Sequence, residues 1–179
     1  MITNRRGFIA MGGGALAALS LPLSLAKPLR AQPVEVIEMR GTARGERVWF
    51  RPYGLSVAPG TTVRFVNRDA GNGHTATAYH PDNFDRTSRI PDAAEAWDSG
   101  FLLPDESFDV TLSAPGVYDY YCLPHEMAAM VGRIVVGQPG DAGWQGPSAD
   151  TEDVSPEVLA ALPPVADILA QGRIGPEGA

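Results

Sequence analysis

The sequence predicts an all-β fold, a sandwich or barrel, on three observations. Six short stretches of β-forming residues follow one another between residues 34 and 136, alternating apolar with polar or running apolar throughout. Glycine and proline punctuate them, 20 and 16 in a chain of 179 residues, which favours turns over long helices. Hydrophobic residues make up 44% and charged residues 20%, enough apolar material for a packed core and too little charge for wholesale disorder. One domain of ordinary size with appendages accounts for the length.

The chain starts with a different character. Adjacent Arg5 and Arg6 precede Phe8, and an uncharged run extends from Gly7 to Ala26 through Gly12, Gly13, Gly14 and Pro22. A basic start, an apolar middle and a small-residue end make an export signal. The arginine pair resembles the twin-arginine type, which exports folded proteins, with Asn4 and Ala10 departing from its usual Ser/Thr and Lys. Residues 1–26 are assigned to this signal and 27–33 to a linker, with cleavage after Ala26. Cleavage after Ala31, or retention as a membrane anchor, are the alternatives. The expected destination is the periplasm.

The strands follow in order. Val34–Met39 alternates loosely, and Val48-Trp49-Phe50 comes after a Gly-containing break. Thr61–Asn67 alternates cleanly behind the Pro59-Gly60 turn. Phe108–Leu112 alternates as well. Ala114-Pro115-Gly116 then turns the chain into Val117–Cys122, and Val131–Val136 closes the set. Residues 80–104 form a longer connection with Trp97 and Phe101 as inward anchors and Asp82, Asp85, Asp92, Glu95 and Asp98 as solvated surface. Trp49 and Trp97 are assigned to the core. Composition changes after Gly137: residues 137–179 hold seven acids, six prolines and a single basic residue, Arg173. Ser155-Pro156-Glu157 is a helix start, with Ser as cap and Pro in the first helical position, and Val165 to Gln171 forms a second short turn beyond Pro163-Pro164. Residues 34–137 therefore read as the β domain and 138–179 as its acidic, Pro-rich extension.

Charge and cysteine count narrow the function. The formal net charge is −7, Lys27 is the one lysine among 14 basic residues, and no basic cluster follows the export segment, so nucleic acid is excluded as a partner. Cys122 is the single cysteine, which makes an intramolecular disulfide impossible. A lone thiol in an oxidising compartment persists if it is buried or held. Three histidines, His74, His80 and His125, are too few for a multinuclear imidazole site.

The segment from Cys122 to Met130 places Cys, His and Met in the pattern C-x₂-H-x₄-M between two strands, and His74 heads a strand after the loop 67–73. Two imidazoles and a thiolate form a trigonal set that a weak thioether completes, the donor set of a blue-copper site. Thiolate and thioether suit Cu(I), while imidazole suits both oxidation states. Met130 and Met127 compete as the thioether, and His80 is assigned to the surface.

These residues resemble those of plastocyanin-type cupredoxins, which are type 1 blue copper proteins. The likeness covers residues 34–137 and rests on Phe50-Arg51-Pro52, Leu55–Gly60, the strand to Asn67, and Tyr120–Val136. It implies an eight-stranded Greek-key β-sandwich holding one type 1 Cu(I)/Cu(II) ion and shuttling single electrons. By position it implies His74, Cys122, His125 and Met130 as ligands, with Met127 in apolar packing around the copper. It also implies that the His125 imidazole reaches the surface amid Leu123, Pro124, Met127 and Ala128. Tyr121 is assigned to strand core; in this family a tyrosine there lies on a remote electron route, which is its functional alternative. Thr75 departs from the family's Asn, which ties the two ligand loops together, and the acidic connection and the extension lie outside the pattern.

The expected function is a monomeric electron carrier rather than an enzyme, since multicopper oxidases and nitrite reductases need histidines beyond the remaining His80. A copper transport or storage protein is one alternative, and an electron-delivering accessory subunit of a larger oxidoreductase is another. Without Arg5 and Arg6, 12 basic residues face 21 acids, a net charge of −9. The expected partner is a redox protein with a basic docking face, such as a c-type cytochrome or an oxidase subunit. No stable membrane insertion is expected once the signal is cleaved.

Overall fold

β-Branched and aromatic residues at alternate positions form strands where the chain can bury one face of them. The computed structural model describes residues 34–176, so the assigned signal and linker lie outside the described residues. Its elements are β1 (Val34–Gly41), β2 (Val48–Arg51), β3 (Gly54–Val57), β4 (Thr61–Asn67), β5 (Thr77–Ala78), β6 (Ser107–Leu112), β7 (Gly116–Tyr121), β8 (Val131–Val136) and β9 (Arg173–Ile174), with helices α1 (Pro156–Ala161) and α2 (Val165–Gln171) before β9. One sheet has the order β2-β1-β4-β6 and the other β5-β7-β8-β3-β9. β1 runs parallel to β4 and β3 parallel to β8, while the remaining pairs are antiparallel.

The inner faces of the two sheets meet in the main core. Phe50 and Phe65 from one sheet surround Tyr120 from the other, with rings edge to face at centroid distances of 4.8 and 5.2 Å. Outside, the sheets differ. β6 alternates between exposed and covered positions, whereas every residue of β7 and β8 is buried. The C-terminal extension causes this. Val154, Val158 and Leu162 pack on Tyr79, Tyr121 and Val131, Ile168 packs on Val117 and Val135, and β9 pairs with the edge of β3. Ser155 caps α1 by accepting the Val158 N–H at 3.3 Å, and Gly172, at φ 75°, closes α2 with its N–H on Ile168 O.

A buried charge cluster ties the extension down. Asp119 points outward from β7 and accepts from Arg89 Nε at 3.0 Å and from Arg133 Nε and Nη2 at 2.6 and 3.0 Å. Those arginines also donate to extension carbonyls, Arg133 to Pro163 at 3.0 Å and Arg89 to Asp150. An ionised carboxylate at 0% exposure needs such partners, and the two guanidiniums supply them.

Two expectations need correction. Phe101 is no inward anchor: it is 62% exposed, while Leu102 faces in at 7%. Leu102 pairs with His74 in an antiparallel bridge, and neighbours along an extended chain face opposite ways. Trp97 is buried as expected, but Trp49 is only half-buried, because on the edge strand β2 its neighbour Phe50 takes the inward position.

Candidate metal centre

The loop between β7 and β8 closes on itself. A 3₁₀ turn spans Leu123–Ala128 with Pro124 in its first positions. The His125 N–H donates to Cys122 O at 3.0 Å, Met130 N–H to His125 O at 3.2 Å, and Cys122 N–H to Met130 O at 3.0 Å. Ala129, in the left-handed region at φ 60°, reverses the chain into β8 while its N–H bonds Glu126 O at 2.8 Å. His74 arrives from the loop 67–73, which Asn67 organises. Its Nδ2 donates to Asn72 O at 2.8 Å and Leu102 O at 2.9 Å, and its Oδ1 accepts the Asp69 N–H at 2.9 Å.

The donor atoms of His74, Cys122 and His125 lie within 4.8 Å of one another. Cys122 Sγ is 3.6 Å from His74 Nδ1 and 3.4 Å from His125 Nδ1, and the two Nδ1 atoms are 3.2 Å apart. Cys122 and His74 are fully buried, and His125 is half-buried. Met130, on the same loop, is fully buried in the core that contains Cys122. Met127 is 80% exposed, which corrects its expected place in packing around the metal. In a 3₁₀ turn residues three apart share a face, and Met127 lies on the outer face with the exposed Pro124. His80 stands apart, its Nδ1 accepting the Asp82 N–H at 3.2 Å.

Thr75 ties the two ligand loops. Its N–H points at Cys122 Sγ at 3.3 Å and its Oγ1 accepts the Leu123 N–H at 2.8 Å. Thr77 gives its one hydroxyl proton to Asp98 at 2.8 Å, so Thr75 donates its own to Thr77 at 2.9 Å. The ligand loop is also held from outside. Arg86 makes a two-pronged pair with Glu126 at 2.8 Å, Tyr79 Oη donates to the same carboxylate at 2.8 Å, and Arg86 Nε reaches Asp153 of the extension at 2.7 Å.

Burial and neighbouring groups set the charge of the side chains here. Burial pushes the Cys122 thiol up to about 11, further than its hydrogen bonds with Thr75 and His125 bring it down. Burial and the neighbouring His74 lower His125, which keeps that imidazole neutral and its lone pair available. Burial acts to raise Asp69, but hydrogen bonds from Asn72, Gly71 and His74 outweigh it and hold the carboxyl below its ordinary value. A sulfur and two imidazole nitrogens face each other at short range, and a soft cation satisfies all three at once. With a buried thioether on the same loop, these donors fit copper, which accepts a weak fourth ligand, better than structural zinc, which closes with four strong ones.

The sequence pattern brought out His74, Cys122, His125 and Met130, but not Asn67, Asp69 or the Arg86–Glu126 pair. The string Asn67-Arg68-Asp69-Ala70-Gly71-Asn72 carries a legible signal for the first two, since Asn and Asp before glycine bond their own backbone. The Arg86–Glu126 contact spans 40 residues and leaves no local mark.

The segment that holds these donors matches known proteins. The family model for copper binding proteins of the plastocyanin/azurin family matches residues 37–137. Chloroplastic plastocyanin of Oryza sativa subsp. indica is 34% identical over 128 residues, covering 69% of this chain and 75% of that protein. The chloroplastic plastocyanin of Hordeum vulgare is 35% identical over 98 residues, which are 52% of this chain, and the match spans only 58% of that relative's length. Among solved structures, a Sinorhizobium pseudoazurin is 32% identical, with 61% of this chain and 78% of the other covered at a TM-score of 0.44.

Proposed function

Because the chain belongs to the plastocyanin/azurin family of copper-binding proteins, we propose that His74, Cys122, His125 and Met130 hold its single type 1 copper and that it carries electrons between redox partner proteins. One observation carries this reading: a buried sulfur and two imidazole nitrogens converge from a hydrogen-bonded loop and a segment that bridges to Leu102 ahead of β5. Bound copper supplies a one-electron Cu(I)/Cu(II) couple. The chain supplies the rest. Backbone hydrogen bonds and Thr75 hold the donors in one arrangement, so a change of charge there requires little movement. Burial excludes water from the sulfur. Of the three clustered donors, His125 alone approaches solvent, beside exposed Leu123, Pro124, Met127 and Ala128. Such a small apolar contact suits a transient complex that forms and releases quickly.

An absorption spectrum of copper-loaded protein with and without reductant tests the site. An intense visible thiolate-to-copper band that bleaches on reduction is expected, and Cys122→Ala abolishes it. A colourless copper-loaded wild type overturns the assignment. Met130→Leu is expected to raise the potential far more than Met127→Leu, because the axial group tunes it. The reverse order makes Met127 the ligand.

The reading extends to location and partner. Arg5-Arg6 and the uncharged run support export to the periplasm, which the mass of the secreted N-terminus checks against cleavage after Ala26 or Ala31. The acidic balance supports a partner with a basic face, such as a c-type cytochrome or an oxidase subunit. Second-order electron-transfer rates then fall with salt, since exposed charges are screened beyond a Debye length of about 10 Å at 0.1 M. Rates that rise with salt would mean that like-charged surfaces meet.

A further inference from the structure

Building on the copper-centre reading, we infer that Asp69 is a positioning residue for His74: its carboxylate fixes the imidazole through Nε2, presents Nδ1 to the metal, and lowers the reduction potential of the centre.

The geometry carries this. Asp69 Oδ2 lies 3.0 Å from His74 Nε2, with the imidazole wholly buried and the carboxylate 4% exposed. An ionised carboxylate only accepts, so the proton of this hydrogen bond sits on Nε2, and a neutral ring then has its lone pair on Nδ1. Nδ1 is the ring atom that faces Cys122 Sγ and His125. A ring turned over about its Cβ–Cγ bond would put a C–H where Nδ1 stands and break the Nε2 contact, so the bond to Asp69 opposes that rotation.

Asp69 is itself immobilised from several directions. Gly71 N–H donates to Oδ1 at 2.9 Å, Asn72 Nδ2 to Oδ2 at 2.8 Å, and its own N–H bonds Asn67 Oδ1. Gly41, at the end of β1, makes the room: a Cβ there would overlap Oδ2. The carboxylate thus reaches from its loop into the space of a missing side chain on β1. The backbone of the turn bonds Oδ1, at the Gly71 N–H, and Oδ2 accepts from the Asn72 side chain. Oδ2 is the oxygen directed at His74.

The electronic consequence follows from charge. A carboxylate on the far nitrogen would make the imidazole a stronger donor toward a bound copper, and it puts negative charge across the ring from Nδ1. Little water reaches this site to screen it. Both effects favour the more highly charged Cu(II). His125 has no carboxylate on its ring among the described residues, so the two imidazoles are inequivalent donors.

Potentiometry of the copper-loaded wild type, Asp69→Asn and Asn72→Ala at neutral pH tests this. Asp69→Asn keeps the shape and removes the charge. Its Cu(II)-to-Cu(I) affinity ratio is expected to fall about tenfold, the scale of lost outer ligand support, which raises the potential by about 59 mV for one electron. Asn72→Ala removes a competing donor from Oδ2 and leaves the backbone carbonyl that Asn67 uses. It is expected to shift the potential the opposite way and by less. Nitrogen-15 spectra of the diamagnetic Cu(I) form are expected to show the His74 proton on Nε2 in the wild type. A potential unmoved by Asp69→Asn in a protein that keeps its blue band makes Asp69 a turn residue and overturns the inference alone. A wild type without the band overturns the copper centre and this inference together. Where Asp69→Asn does not fold, Asn72→Ala decides: an unchanged or raised potential overturns the inference.

Discussion

His125 and Tyr121 lie four residues apart on either side of Cys122, yet one approaches solvent and the other is sealed. Around His125 the chain leaves Leu123 36% and Met127 80% exposed. Tyr121, at 0% exposure, lies under Val154 and Val158 of the extension and stacks on Tyr79 at a centroid distance of 4.4 Å. The Arg86 guanidinium sits 4.9 Å from both ring centroids and bonds Asp153. Strand alternation alone sends Tyr121 outward to a face that the β domain leaves bare. The difference therefore lies in what covers each residue. Under the carrier reading it leaves the protein one outlet, at His125, and makes the extension the part that closes the other.

Removing the anchor of the closed side has the largest expected effect. Asp119→Ala strands two buried guanidiniums, and breaking a buried ion pair from one side costs about 3–5 kcal/mol. Urea unfolding is expected to show a loss on that scale, with faster proteolysis between residues 148 and 163, where Arg89 and Arg133 hold the extension. A loss below about 1 kcal/mol, the ordinary value of a single mutation, would mean that the cluster does not hold the extension. Arg86→Ala comes next, because this side chain touches both regions, Glu126 beside His125 and Asp153 in the extension. Hydrogen bonds to charged groups contribute about 1.5–3 kcal/mol. The expected loss lies in that range, with hydrogen exchange rising in both the ligand loop and residues 150–158. A rise in one region alone would show that the two are uncoupled.

The comparison also shows what the sequence made legible. The two strands that carry the ligand loop, the loop itself and the Ser155 cap are local patterns, and each is found where its residues placed it. Val131–Val136 held a further signal: four apolar residues with no alternation describe a strand covered on both faces. What covers it was not legible, because Ile168 meets Val135 and Pro163 meets Arg133 across about thirty residues, and no local period encodes such a contact. The pairing of Asp119 with two arginines was hidden for the same reason. Phe101 and Met127 misled because hydrophobicity gave no hint of direction. A bridge to His74 turned Leu102 inward in place of Phe101, and the 3₁₀ turn placed Met127 outside.

Acid sharpens the contrast with a smaller effect. Burial acts to raise Asp153, but its bonds with Arg86 and Thr87 outweigh that and hold it below the ordinary carboxylate value. A carboxyl lowered by folding contributes stability that is complete above its unfolded value near 3.8 and is lost as the pH falls through the folded value. Hydrogen exchange in residues 150–158, corrected for intrinsic rates, is expected to rise below pH 3.8, and less so in Asp153→Asn, which has lost that proton linkage already. Equal acid sensitivity in both proteins would assign the effect to other carboxylates.

Tyr121→Phe has the smallest expected effect and tests the seal most directly. The Tyr121 hydroxyl is buried without a hydrogen-bond partner among the described residues. A buried unpaired polar group costs about 1–3 kcal/mol, so removing the oxygen is expected to leave stability unchanged or to raise it slightly. The ring stays, and with it the stacking on Tyr79 and the contact with Arg86. If partners reach the protein only at His125, electron-transfer rates and their salt dependence are the same in Tyr121→Phe and wild type. Substitution at the open end behaves differently: Met127→Glu places a charge in the apolar rim and slows the reaction. A rate that falls with Tyr121→Phe while stability holds would mean that the extension moves aside when a partner binds, and that the sealed face is a second outlet.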